Sequence, residues 1–561
     1  MLGMSGSMTT SIFTPPLRNP HLPMRLRTLT LPLLTLALLS APALLFAQES
    51  KVRVKVKADI GGKADEDHGV VKVVKGDAGS VVALKTKGGE PVLGGLSQVQ
   101  TDWSLWSYAT ETMLPIKNDK IKVVWGEGPV AIETIEYYRG QFRMIASQPD
   151  PENNKLLLIQ QILSPRSLTG KGAQIITELP YDRLGKGPEY FQSNMSIGFT
   201  TIVNTDSTKL LLQLTPNTTS RSAGCPIFAM VLGKDMKPLW NYTLQTDASA
   251  RSVKILDTQV DKAGAVWYLV KNVSNPEPKT KGEIGYGYAL YKLDSAGQRT
   301  AAIDLPAEDY AMDATFAFRA DGNLAVAGVY SQPDLGRNEA VGLYYTTLDV
   351  NTMAWGNWKQ HPLAKQVVKI KTKDEERYQT DIVVERVMPR KDGGAYLVAH
   401  GSARITTMVS DLSGTKKPKY SWDNWDLHVM DLGTDGDVKW YKQIERDMSY
   451  DNDIPGRLIC ATFEGALFIL LNDDMANYEK RKKKEPLDRI TSGKDATLLE
   501  FKPDGTEKPR QIMKDGMQQG YFKASSIWRL NPNTVVTIGT PGFGSDMTYP
   551  VLIQFSKESA K

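Results

Sequence analysis

An all-β fold, a single β-propeller of four-stranded antiparallel blades with eight blades favoured and seven as the alternative, is predicted by three observations. One pattern recurs about eight times: an apolar strand, a short Asp/Gly-rich turn, a second and more continuously apolar strand, a variable loop, then a third and a fourth strand joined by another turn. The second-strand members begin at Val81, Phe142, Leu210, Val266, Leu324, Ala395, Leu467 and Val535, spaced 56 to 72 residues apart, a period typical of propellers and other arrays. These strands are apolar on consecutive positions, as expected of strands covered on both faces by neighbouring sheets. A stacked solenoid is the rival architecture, but its repeats are usually shorter and it needs end caps.

The elements follow in chain order. Residues 1–47 are set aside as an N-terminal extension plus signal peptide: Arg25 and Arg27 precede the apolar run Leu29–Leu39, and small residues follow at Ala41, Ala43 and Ala47. This predicts export to the periplasm or beyond, with cleavage near Ala47/Gln48. Met24 is the better-placed start, since Met1–Pro23 has no recognisable pattern. Residues 48–561 are then one propeller domain. Val52–Lys57 is an isolated alternating strand that belongs to no unit. The third unit reads as strands 199–203, 209–214, 227–232 and 239–244, and the fourth as 253–260, 266–270, 288–293 and 299–305. The sixth is the clearest: strands 382–387, 395–399, 426–430 and 438–444, with turns Lys391–Gly394 and Thr434–Asp437 and a long polar loop at 402–425. Asp-Gly between extended apolar runs signals a hairpin, because the turn needs positive φ at its centre. The seventh unit reads as strands 458–463, 466–471 and 497–501 with an outer strand near Arg510; the eighth, 525–530, 535–540 and 551–555, lacks a fourth strand. The isolated N-terminal strand is expected to complete that last blade, leaving no exposed edge.

Tryptophans recur soon after the last turn of a unit, at Trp240, Trp358 and Trp440, the last within Thr434-Asp435-Gly436-Asp437-Val438-Lys439-Trp440. This pattern resembles the repeats of exported bacterial β-propeller proteins of the quinoprotein-like and WD-like superfamily. The resemblance covers most of the mature chain but is degenerate, and it implies the fold only. That fold hosts dehydrogenases, assembly scaffolds and binding proteins alike.

Composition narrows the partners. Hydrophobic residues at 41% and charged residues at 23% are those of a folded protein. Without residues 1–47, which hold three arginines and no acids, 65 basic residues stand against 63 acidic ones. A balance of +2 gives no concentrated basic face for nucleic acid. No second long apolar segment follows the signal, so no transmembrane segment is expected in the mature chain, which is read as a monomer. Cys225 and Cys460 fall in units on opposite sides of the predicted array, too far for a disulfide, and are expected to be free and largely buried.

Function is expected where connections lengthen. Extra residues collect between second and third strands, at 273–287, 332–339, 402–425, 472–495 and 541–548, which places them on one face together with the blade-to-blade crossovers. Insertions of this kind map to binding faces. Within them, Tyr420, Trp422, Asp423 and Trp425 form the candidate binding set, two tryptophans able to stack on sugar rings or anchor a partner. Trp103 and Trp106 share that spacing and read as core. The basic run Lys480–Lys484 reads as a solvated loop tip between acids. Asp451-Asn452-Asp453 has the oxygen density of a calcium ligand but not the spacing of a complete loop. The histidines His68, His361, His400 and His428 lack zinc-site spacing, and His400 reads as a structural imidazole near the axis. The reading is therefore a non-catalytic protein holding a protein or glycan partner of the cell envelope, with no cofactor and no metal site. The alternative is a glycosidase or lyase working through carboxylates at the axial mouth.

Overall fold

The computed structural model describes residues 52–557 apart from 59–67, 78, 88–102, 122–124, 126–129, 171, 185–196, 217–226, 247–249, 276–282, 334–338, 365–368, 372–375, 379–381, 411–413, 451–455, 492–494, 512–520, 532 and 541–548. Eight antiparallel sheets of four strands follow one another along the chain. Blade 1 comprises His68–Lys75, Ser80–Lys87, Trp103–Ala109 and Pro115–Lys120; blade 2 comprises Ala131–Tyr138, Gln141–Asp150, Lys155–Leu163 and Gln174–Pro180. Blade 3 comprises Ile197–Val203, Leu210–Pro216, Ile227–Leu232 and Pro238–Leu244; blade 4 comprises Ser252–Val260, Val266–Val273, Tyr286–Asp294 and Gly297–Ala302. Blade 5 comprises Tyr310–Phe318, Leu324–Ser331, Gly342–Leu348 and Lys359–Pro362; blade 6 comprises Ile382–Pro389, Ala395–Ser410, Lys416–Leu432 and Val438–Ile444. Blade 7 comprises Ile459–Phe463, Ala466–Asp473, Asp495–Phe501 and Glu507–Gln511.

Blade 8 takes three strands from the C-terminal end, Tyr521–Asn531, Thr534–Thr540 and Tyr549–Lys557, and its outer strand from the other end of the domain. Val52–Ala58 runs antiparallel to that last strand, Val52 opposite Lys557 and Ala58 opposite Val551. Arg510 of blade 7 donates to the Val52 carbonyl at 2.8 Å, tying the added strand to the neighbouring blade.

The packing closes the circle. Each pair of successive blades shares one buried apolar cluster, and the series includes blade 8 against blade 1, where Val536, Ile538 and Leu552 meet Val70, Val81, Ala83 and Trp106. A stack of sheets would leave two faces uncovered; here none of the eight is. The consecutive apolar residues of the second strands now have a cause. In blade 4, Val266, Tyr268 and Val270 face blade 3 while Trp267 and Leu269 face blade 5. In blade 7, Leu467, Ile469 and Leu471 face blade 6 while Ala466, Phe468 and Leu470 face blade 8. Burial of each such side chain contributes roughly 1.5–3 kcal/mol, and these strands supply it on both faces.

The turns behave as their sequence requires. Gly393 and Gly436 sit at φ of 88° and 84° in the Asp/Gly turns of blade 6, a region costly for a residue with a Cβ. The outer-strand tryptophans reach into the next blade: Trp240 donates to the Gly264 carbonyl and Trp440 to that of Pro503, each at 3.1 Å.

Two expectations are corrected. The stretch 402–425 is not a polar loop: the second and third strands of blade 6 extend to 16 and 17 residues and stay paired from Ser402–Asn424 out to Ser410–Lys416 as a projecting hairpin. Both of its faces meet solvent, and Ile405, Met408, Val409 and Tyr420 are exposed among its polar residues, so the alternation that marks a half-buried strand is missing. The basic run Lys480–Lys484 is not a loop tip either. It ends the helix Met475–Lys483, capped by Asp474, and its cations suit the negative C-terminal end of that helix. Arg481 pairs with Asp473 at 3.0 Å, and Lys480 with Asp488 at 2.6 Å.

Candidate functional site

The innermost strands share a local irregularity that builds the site. Five of them skip one residue in their pairing with the second strand, at Val71, Glu133, Leu256, Met312 and Glu385. Such bulges re-aim side chains. Those of blades 4, 5 and 6 lie around one cavity of about 620 Å³, which Leu256 and Met312 line. Its other walls come from the beginning of first strands (Lys254, Ile382), the end of second strands (Lys271, His400) and the beginning of third strands (Tyr286, Tyr288). These ends all belong to the face on which the long connections emerge.

Four cationic side chains line the cavity: Lys254, Lys271, Arg404 and Arg457. Lys254 and Lys271 are direct cross-strand neighbours, an arrangement of like charges that costs stability unless something negative lies between them. The Lys271 ammonium stands 3.8 Å from the centroid of the Tyr286 ring, and burial lowers its pKa below the ordinary lysine value. Tyr286 and Tyr288 meet edge to face, and the Tyr288 hydroxyl is spent on the Met312 carbonyl. Burial pushes Tyr286 up to about 12, so both rings are neutral.

Asp313, the residue after the blade 5 bulge, is the carboxylate among the described lining residues. It accepts from the backbone N–H of Val384 at 2.9 Å and of Ala314 at 3.0 Å. Burial raises its pKa to about 6, against the pull of those N–H groups and of Lys271 and Arg457. At the blade 6 bulge, Glu385 lies 3.3 Å from His400 Nε2 and 4.0 Å from Arg457. Burial alone would raise the Glu385 carboxyl; His400, Arg457 and Arg386 outweigh it and leave the group below its usual value, ionised. Burial lowers the His400 pKa despite Glu385, so the imidazole is neutral.

A second cavity of about 650 Å³ opens on the opposite, short-turned face. There Arg390 bridges Asp431 and Asp392, and the Tyr396 hydroxyl donates to the Gly465 carbonyl at 2.6 Å. On the looped face the inner wall is not self-sufficient, since Asn424 Nδ2 is buried without a hydrogen-bond partner. That asymmetry marks the looped-face cavity as the site.

The structure divides the set read from the sequence. Trp422 lines the cavity beside Arg404, its direct cross-strand neighbour. Tyr420 lies farther out on the hairpin, 42% exposed, with the Arg404 guanidinium 5.0 Å from its ring centroid. Asp423 faces away, accepting from Ser449 at 2.6 Å and Arg489 at 3.0 Å. Trp425 is half-buried and is not one of the cavity-lining residues. Trp106 is core, as expected. His361 contacts the Gly436 carbonyl and His428 the Tyr441 hydroxyl, both structural roles. Cys460 is a free thiol; Cys225 and Asp451-Asn452-Asp453 lie outside the described residues. Among the described residues no group of His, Cys, Asp and Glu side chains is placed to hold a metal ion, and no helix is long and apolar enough to cross a membrane. Sequence reasoning missed Lys254, Lys271, Tyr286, Tyr288, Asp313, Arg404 and Arg457. The one local signal was the lysine pair near the start of the first strand and the end of the second strand of the fourth unit.

No family model matches the chain, and no curated protein matches it. Among solved structures it is similar to the β-propeller domain of the Trilobed protease from Pyrococcus furiosus, at 11% identity over 81% of this chain and 97% of that one, TM-score 0.31. It is similar to the polysaccharide lyase Uly1, at 9% identity over 78% and 92% of the two chains, TM-score 0.37. It is also similar to quinohemoprotein alcohol dehydrogenase from Comamonas testosteroni, at 9% identity over 92% and 78%, TM-score 0.42. The propeller assignment rests on the strand pairing and blade packing described above.

Proposed function

We propose that this chain is an exported binding protein of the cell envelope that holds an acidic glycan in the looped-face cavity between blades 4 and 7. One observation carries the reading: four cations and three aromatic rings (Tyr286, Tyr288 and Trp422) converge on a cavity of about 620 Å³. Cations attract carboxylate or sulfate groups, and aromatic faces stack on sugar rings. The volume is that of an ordinary small-ligand site. The rival reading, hydrolysis or elimination through paired carboxylates, draws less support. Asp313 is held by two backbone N–H groups, and Glu385 is engaged with His400.

Titration calorimetry with a uronic-acid trisaccharide and a neutral trisaccharide of equal length tests the proposal. The acidic ligand binds, the neutral one binds at least about tenfold more weakly, and Lys271→Met or Arg404→Ala each costs about tenfold for the acidic ligand. Equal affinity for the two sugars, or none for either, refutes it. Chain cleavage during the titration would favour the enzyme instead.

A further inference from the structure

The projecting hairpin of blade 6 has two long edges, and their compositions differ. The first strand of the blade pairs with the second only as far as Ile382 opposite Gly401. Beyond that point residues 402–410 have the third strand on one side and, among the described residues, no strand on the other. At the far edge, Met448–Tyr450 covers residues 422–424 at the base, and residues 416–421 run on with no described strand beside them. Sheets commonly guard such edges with lysine and proline, because a row of open backbone groups recruits other extended chains. The far edge follows that rule with Lys416, Lys417, Pro418 and Lys419. The near edge does not. It reads Arg404-Ile405-Thr406-Thr407-Met408-Val409-Ser410, exposed throughout. From Ile405 to Val409 it has no charge, proline or glycine, and four of those five residues are β-branched, the composition of a strand that pairs well.

The near edge is complementary to itself. Laid antiparallel on a second copy with Thr407 at the two-fold axis, Ile405 falls opposite Val409, Thr406 opposite Met408 and Arg404 opposite Ser410. Aliphatic residues meet across the axis, the two threonines face each other, and no like charges are opposed. The guarded edge resists the same operation: centred on Pro418, it sets Lys417 opposite Lys419 twice, and proline offers no N–H. With one edge open to pairing, the contact is isologous and closes at two copies. Space allows it. Seven strand residues span about 24 Å, and antiparallel pairing sets the base of each hairpin beside the tip of the other, with the two propellers at opposite ends. A lipid surface suits the edge less well, since hydrocarbon would leave its open backbone groups unsatisfied. We infer that residues 404–410 form a β-pairing interface through which two copies of this chain join their hairpins into one four-stranded sheet. The single-copy state expected from the sequence then gives way to a homodimer, independently of what the cavity binds.

Sedimentation velocity on the purified protein from about 1 to 200 µM tests this, with a dimer of Kd about 1–50 µM expected of so small an interface. Ile405→Lys with Val409→Lys in one chain opposes lysine to lysine twice and weakens the dimer at least about tenfold. Ile405→Lys with Val409→Glu opposes lysine to glutamate twice and associates at least about fivefold more tightly than the double-lysine chain. Both positions are exposed, so the circular dichroism of either variant matches that of the unaltered protein. Thr407→Cys, at the axis, cross-links under mild oxidation, whereas Val409→Cys does not, because bridged α-carbons lie within about 7 Å of each other. The unaltered protein, with Cys225 and Cys460, is the blank for that measurement. A protein that stays monomeric at about 200 µM overturns the interface. So does a dimer untouched by the double lysine, or equal weakening by the two charged pairs. A monomer that instead binds phosphatidylglycerol vesicles would assign the hairpin to a lipid surface and overturn it too.

Discussion

A carboxylate set among four cations governs how the cavity treats an anion. Asp313 titrates at about 6 because burial disfavours its charge. Above that pH it is negative and repels an acidic guest; below it the group is neutral and the repulsion is gone. Affinity for an acidic saccharide is therefore expected to rise as pH falls from 7 to 5, by about three- to tenfold for one charge across a partly hydrated cavity. Asp313→Asn should hold the acid-side affinity across the whole range, and a slope that survives the substitution would place the titrating group elsewhere. The residues of this site come from seven strands of blades 4 to 6 and from the crossover into blade 7. Trp422, from two tryptophans three apart, and the placement of His400 near the axis were the parts of the site legible beforehand. A sequence shows which residues are aromatic or charged, but their convergence depends on which blade tops adjoin.

The elements reveal why some were readable and others not. Second strands announced themselves because both faces are buried. The bulged first strands were harder, since a skipped residue shifts the alternation midway: after Glu385, Arg386 takes the pairing position opposite Val398. The projecting hairpin and the helix Met475–Lys483 were hidden for one shared reason. Each is solvated on most sides, so neither shows an apolar period, and the helix buries a single residue, Asn477. The hairpin's role follows from its geometry. Beyond Arg404 and Trp422 it adds no core, so replacing 406–419 with a short turn should leave the thermal midpoint within about 3 °C. The same change should weaken binding of a long acidic glycan by about tenfold while sparing a monosaccharide. Equal losses for both lengths would mean that the hairpin holds the cavity's shape and contacts no ligand of its own.

At the scale of the molecule, stability depends on the partnership of the two ends of the domain. Seven residues, Val52–Ala58, cover the edge of Tyr549–Lys557, and Val52 packs among Phe468, Val551 and Phe555. A variant beginning at residue 59 leaves a long apolar edge open. It is expected to lose about 10 °C or more in thermal midpoint and to aggregate with rising concentration, as followed by scanning calorimetry and light scattering. An unchanged midpoint would mean that blade 8 is held by its neighbours alone. The eight-unit count, the joining of the ends and the looped face were all visible in the repeat itself, because a repeated unit displays the same burial pattern each time.

That joining also fixes an order of events. The strand that finishes the circle is among the first parts of the domain to leave the ribosome, and its mate is among the last. Blades 2 to 7 can assemble as they are synthesised, but the apolar flanks of blades 1 and 8 have no cover until translation is almost over. A nascent chain of this protein therefore carries its opening segment without its edge partner until a companion some five hundred residues behind it has been made.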